Sequence, residues 1–186
     1  LAKTVSAWSR TNSSVESLSK DFADAYAASM PGKIASLIVP NDYLWAETEA
    51  VIATPPSLQY DSFDIHRIES AADILRTGKK TALMLGGNAL RGQNLVAAGR
   101  ISTITRCDLL TETFPGYMER GVGYPDVTRV PYFPEPALAF LSQYEAIILA
   151  DVQEPVTFFG YPGVDSFLIS KDQQKLSICS ERQNIL

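Results

Sequence analysis

The residues whose types and spacing come nearest to a chemical site are Gly86, Gly87, Asn88 and Arg91, within TALMLGGNALRG at 81–92. A glycine pair lets backbone approach a neighbour or a ligand closely. Placed between an apolar strand and a helix, such a pair exposes N–H groups that can hold phosphate oxygens. Arg91 could pair with the same phosphate. From Gly87 onward the run matches the outer glycines of the dinucleotide fingerprint G-x-G-x-x-G, but Ala89 stands at the middle position. The middle glycine is what lets a pyrophosphate reach the backbone. Two readings remain open. In one, Gly86, Gly87, Asn88 and Arg91 are cofactor-binding residues of a nucleotide (FAD or ADP) cradle, and Glu112 at the end of the next strand holds a ribose. In the other, the glycines serve only a tight strand-to-helix turn.

Other reactive side chains offer less. His66 sits beside Asp64 and Arg67 on an expected helix, with no nucleophile or carboxylate converging on it, so a surface or packing histidine is expected. Cys107 and Cys179 are far apart and fit neither a zinc motif nor a disulfide framework, which suits a reducing, cytoplasmic setting. No nucleophile elbow, Walker loop or calcium loop occurs. The expectation is that no catalytic and no metal-binding residue lies in this chain. Two loops concentrate aromatic residues: FPGYMERGVGYPDVTRVPYF at 114–133, with Arg120 and Arg129, and FFGYPG at 158–163. Each reads either as a docking surface or as a packed connection anchored by its own rings.

The elements that must position these residues follow from periodicity. Residues 1–11 hold Val5 and Trp8 in a polar context. Ser13 and Glu16 have capping-box spacing, and Val15, Leu18, Phe22, Ala25 and Tyr26 follow as one helical stripe. Pro31-Gly32 should end that helix, and KIASLIV at 33–39 reads as a buried strand whose parallel partner would lie upstream of the chain. Residues 47–63 carry Pro55-Pro56 and little periodicity, as a linker does. A helix with Ile65, Ile68, Ala71, Ala72 and Leu75 on its apolar face should stop at Gly78. Next come the strand at 81–85, a helix over 89–106 with Leu90, Leu95, Ala98, Ile101 and Ile104 inward, and a strand at 108–113. A loop over 114–132 leads to a helix starting at Pro134. Strands are expected at 145–150, 166–169 and 175–179. This alternation predicts an α/β fold with a doubly wound, mostly parallel sheet, preceded by a partial α/β unit.

Composition narrows the partners. The chain has 186 residues with 16 basic and 21 acidic side chains, a net charge of −5, and no basic block. Nucleic acid is therefore not an expected partner. No apolar run reaches the roughly 20 residues of a membrane span. The first residue is leucine, and a piece of a longer polypeptide is expected.

The order of these pieces resembles one family. TALMLGGNALRG, a helix, DLLTETFP, the aromatic loop ending VPYFPEPALAFL, and then EAIILADVQEPVTFFGYPG are similar to thiamine-diphosphate-dependent enzymes of the acetolactate synthase-like and benzoylformate decarboxylase-like group. The resemblance implies that residues 1–46 end a pyrimidine-binding-type N-terminal domain, that 47–63 link, and that 64–186 form a Rossmann-like central domain. It implies a 2-keto-acid decarboxylase or carboligase using thiamine diphosphate and Mg, with the missing N- and C-terminal domains as partners and a homo-oligomer as the assembly. The family's Gly-Asp-Gly motif does not occur here, and Glu16, Glu47 and Glu49 lack the context of its activating glutamate. The segment alone is thus expected to be inert, a structural or assembly domain. Some relatives bind FAD in the central domain; Gly86, Gly87, Asn88 and Arg91 match that turn, with Ala89 as the departure.

Overall fold

In the computed structural model, residues 1–30, 33–49, 52–57 and 62–179 are described. The chain divides into two units, Leu1–Tyr60 and Asp61–Leu186. The first contains a short helix Ala2–Val5 (α1), strand Trp8–Thr11 (β1), helix Leu18–Ser29 (α2) and strand Ala35–Ile38 (β2). β1 and β2 pair in parallel with Trp8 opposite Ala35. The partner strand expected upstream is therefore within the chain, in a segment too short and polar for its periodicity to be read. Arg10 on β1 explains that polarity: it pairs with Asp21 and Asp24 of α2, both at 2.7 Å.

α2 differs from expectation at its start and on its faces. Its N-cap is Ser17, not Ser13, and Ser14 Oγ accepts the Ser17 N–H at 3.3 Å. The residues it buries are Asp21, Ala23, Ala25 and Ala27, because a small face lets the helix lie close to two short strands. The larger stripe turns outward: Phe22 is 65% exposed and Tyr26 49%. Val15, Leu18, Phe22 and Tyr26 line a groove of about 650 Å³ together with Ile52 and Pro55. Ala53 N–H donates to Ser19 Oγ at 3.2 Å, so this part of the expected linker packs along α2. Residues 50, 51 and 58–61 of that stretch, and the expected Pro31-Gly32 stop, lie outside the described residues. β2 is half-buried to exposed rather than buried, since two strands with α2 give it incomplete cover.

The second unit is built on five strands. Helix Ile65–Arg76 (α3) is capped by Asp64, which accepts the His66 N–H at 3.0 Å, and it ends before Gly78 with φ of 76°. It buries Ala71 and Ile74, while Ile65 and Ile68 are exposed. Then follow Thr81–Leu85 (β3), helix Gly92–Thr105 (α4), Asp108–Thr111 (β4), Thr128–Arg129 (β5), helix Pro134–Leu141 (α5), Ala146–Ala150 (β6) and Gln174–Ser177 (β7). The sheet order is β5-β4-β3-β6-β7 and every pairing is parallel. β3 and β6 are buried at every position, as central strands covered on both faces must be. On one face α3 and α4 pack Ile74, Leu95 and Ala98 onto Leu83, Leu85 and Ile148. On the other, α5 packs Ala137 and Leu141 onto Met84, Leu110 and Ile147. The doubly wound parallel sheet is as expected.

Three local expectations are corrected. The helix over 89–106 is instead a 3-10 turn, Gly87–Leu90, then Arg91 in extended conformation, then α4. Gly92, with φ of 46°, restarts the helix from that break. Ile101 and Ile104 are exposed, because α4 turns Leu95 and Ala98 inward. The loop over 114–132 contains β5, whose two residues are too few to show a period. Residues 166–169 form no sheet strand: Phe167 makes one isolated antiparallel bridge with Val156, flanked by Leu168 N–H donating to Pro155 O at 3.0 Å, and Leu168 and Ile169 are buried.

Candidate functional site

The sheet order reverses between β3 and β6. Chains leave these two strands in opposite directions, and in open α/β sheets ligands bind in the crevice that results. Leu85 and Ala150, at the ends of the two strands, lie opposite each other. Gly86 N–H donates to Ala150 O at 3.0 Å, which draws the turn after β3 over the end of β6. All four residues singled out by spacing are in this turn.

The chain itself occupies the space beside the glycine pair. Asn88 N–H donates to Asp151 Oδ2 at 2.7 Å. A Cβ on Gly86 would lie 2.5 Å from Asp151 O and 2.8 Å from the Val152 Cβ, and one on Gly87 would collide with the Asp151 carboxylate. The glycine pair thus makes room for residues 151 and 152. Asp151 has φ of 54°, a left-handed conformation that aspartate tolerates better than most residues, and its N–H donates to Cys179 Sγ at 2.8 Å. Burial pushes its carboxyl up, against the opposing pull of the Asn88 N–H and the Arg91 charge.

A second carboxylate holds the other end of the turn. Gly92 N–H, in the first turn of α4, donates to Glu119 Oε2 at 2.7 Å, and Glu119 N–H donates to Leu90 O at 3.1 Å. The Tyr124 hydroxyl and the Gly92 N–H hold the Glu119 carboxyl below its ordinary range. The Arg91 guanidinium lies over the Tyr117 ring, 4.7 Å from its centre. Neither Asp151 nor Glu119 was evident from spacing. Asp151 could have been suspected, since it directly follows the apolar run EAIILA. Glu119 lies inside an aromatic loop and carries no such signal.

The remaining expected positions fall elsewhere. Glu112 follows β4, and burial pushes its carboxyl up. His66 is exposed on α3, 3.4 Å from Glu69, as a surface histidine would be. Cys107 and Cys179 are free thiols. Among the described residues no cluster of three or more His, Cys, Asp or Glu is placed to hold a metal ion, and no helix is long and apolar enough to cross a membrane. The two aromatic loops meet: Phe158 lies 5.4 Å from Phe114 and stacks on Tyr132 at 5.1 Å between ring centres. Phe114, Phe133 and Phe158 are nonetheless substantially exposed.

No known family profile matches the chain. It is 39% identical over 171 residues, 91% of its length, to a Mycobacterium tuberculosis protein that carries the provisional name acetolactate synthase large subunit IlvX. It spans 33% of that protein. A Mycobacterium smegmatis structure, provisionally described as a thiamin diphosphate-dependent enzyme, superposes with a TM-score of 0.61 at 20% identity, over 92% of this chain and 33% of the other. Benzoylformate decarboxylase from Polynucleobacter necessarius gives 0.57 at 17% identity, over 92% and 32%. The thiamine diphosphate-dependent 4-hydroxybenzoylformate decarboxylase of Rhodococcus jostii RHA1 gives 0.60 at 16%, over 94% and 34%.

Proposed function

We propose, from the premise that this chain is a relative of the acetolactate synthase large-subunit-like proteins over about a third of their length, that it is the scaffold segment of a 2-keto-acid decarboxylase or carboligase. The observation that carries this reading is the 39% identity, which runs through 91% of the chain and so includes both units. In this reading residues 1–46 end a pyrimidine-binding-type domain, 47–63 connect, and 64–186 are the central domain. Thiamine diphosphate, bound with Mg by the rest of such a polypeptide, supplies the carbanion chemistry.

The residues present do not fit that cofactor. The described residues offer no acidic cluster for its divalent ion, and the sequence has no Gly-Asp-Gly. No catalytic step is therefore assigned to this chain. Its part is to hold other domains in place, by self-association or by contact with the domains of the same polypeptide, and the exposed aromatic cluster suits either. The test is release of carbon dioxide from pyruvate and benzoylformate by the long polypeptide and by this chain, with and without thiamine diphosphate and Mg²⁺. Turnover by the long polypeptide alone, lost without the cofactor, is expected. Turnover by the isolated chain, or cofactor-independent turnover, would overturn the proposal.

A further inference from the structure

The switch-point crevice is where this fold accommodates a dinucleotide, with its phosphates on the free N–H groups of the turn and helix start. Two matter most: the N–H of Asn88 in the turn, and the N–H of Gly92 at the start of α4. Each is already donated to a carboxylate of the chain, Asp151 and Glu119, at 2.7 Å in both cases. The space above the glycine pair is equally taken, since a single added carbon on Gly86 or Gly87 would strike Asp151 or Val152. Arg91, the cation a phosphate would use, lies over the Tyr117 ring and in the field of Asp151 and Glu119.

We propose that Asp151 and Glu119 are built-in substitutes for the two phosphates of a nucleotide diphosphate, so that the central unit closes its own switch-point crevice and excludes the nucleotide. The physical reason is twofold. A phosphate brought to these N–H groups would have to displace two satisfied hydrogen bonds. It would also meet two carboxylates at contact distance, and like charges that close lower its affinity further. The glycines then keep their role with a different guest: they admit the chain's own backbone and carboxylate where relatives of the fold admit a cofactor. FAD does not fit this turn, and Gly86, Gly87, Asn88 and Arg91 serve as the receptor of Asp151.

The inference stands on the geometry of the turn and not on the 2-keto-acid reading. A parent polypeptide without that activity leaves it intact, and nucleotide binding at the turn would leave that activity intact. The experiment is a titration of the chain with ADP and with inorganic pyrophosphate, followed by heat and by the amide resonances of Asn88 and Gly92. The native chain is compared with Asp151→Gly/Glu119→Gln. Glycine is chosen because position 151 has φ of 54°, which glycine adopts without strain. The native chain should show no saturable shift at millimolar ligand, and the double variant should bind pyrophosphate at least about tenfold more tightly. If that variant does not fold, Asp151→Asn/Glu119→Gln keeps both acceptors and removes both charges, and a several-fold gain is expected from it. Saturable binding by the native chain with movement of the Asn88 and Gly92 amides would overturn the proposal. So would a folded, uncharged variant that binds no better than the native chain.

Discussion

Burial raises the Asp151 carboxyl because the hydrogen bond from Asn88 and the field of Arg91 return less than desolvation removes. The folded chain therefore binds this proton more tightly than the unfolded one. The associated stability is fully present below the ordinary carboxylate pKa of about 4 and is lost as pH rises through the raised folded value. Asp21 has the opposite sign. Hydrogen bonds from Asn12 and Arg10 hold its carboxyl down, so its contribution is present above the ordinary value and lost as pH falls through the folded one. Asp151→Asn keeps an oxygen for the Asn88 N–H and removes the ionisation cost. Chemical denaturation across pH should show this variant at least as stable as the native chain at pH 7, with its relative advantage shrinking as pH falls through the raised folded value and gone below about 4. A variant clearly weaker at pH 7 would show that the charge itself holds the turn.

The turn after β3 was legible in part as an element. An apolar strand followed by two glycines says that backbone passes close to something, and it does. What passes close was not legible, because Asp151 is far along the chain and reaches the turn only through the pairing of β3 with β6. Two glycines with positive φ separate the contributions. Gly78, with φ of 76°, has nothing near its missing Cβ, so Gly78→Ala should cost about 1 kcal/mol of left-handed strain. Gly87, with φ of 42°, faces the same strain plus collision with the Asp151 carboxylate, so Gly87→Ala should cost clearly more in urea unfolding. Equal costs would mean that the carboxylate does not press on the turn. The same distinction explains β5 and α4. β5 exists because β4 offers it an edge, and α4 starts late because Arg91 is extended; neither fact is local to the residues concerned.

At the scale of the molecule the two units differ in how much core each can form. The second has five strands with apolar clusters on both faces. The first has two strands and leaves Phe22, Tyr26, Ile34 and Ile38 largely exposed. Two paired strands are marginal by themselves in water, and parallel ones need cover on both faces. A chain cut to residues 61–186 should therefore keep a cooperative urea transition, and residues 1–60 alone should show none by far-ultraviolet circular dichroism. Cooperative unfolding of 1–60 alone would contradict this account of its stability. The sequence by itself determined the alternation of elements, hence the doubly wound sheet, because apolar periods, helix stops and turn residues are local properties. It also showed that Gly86 and Gly87 permit a close approach of backbone at the turn. Only the tertiary structure decided what is approached, since the parallel crossover places residue 151 beside residue 87, and burial and charge there are properties of neighbours in space. That is why the turn read either as a place for a phosphate or as a tight connection, and is filled by a carboxylate.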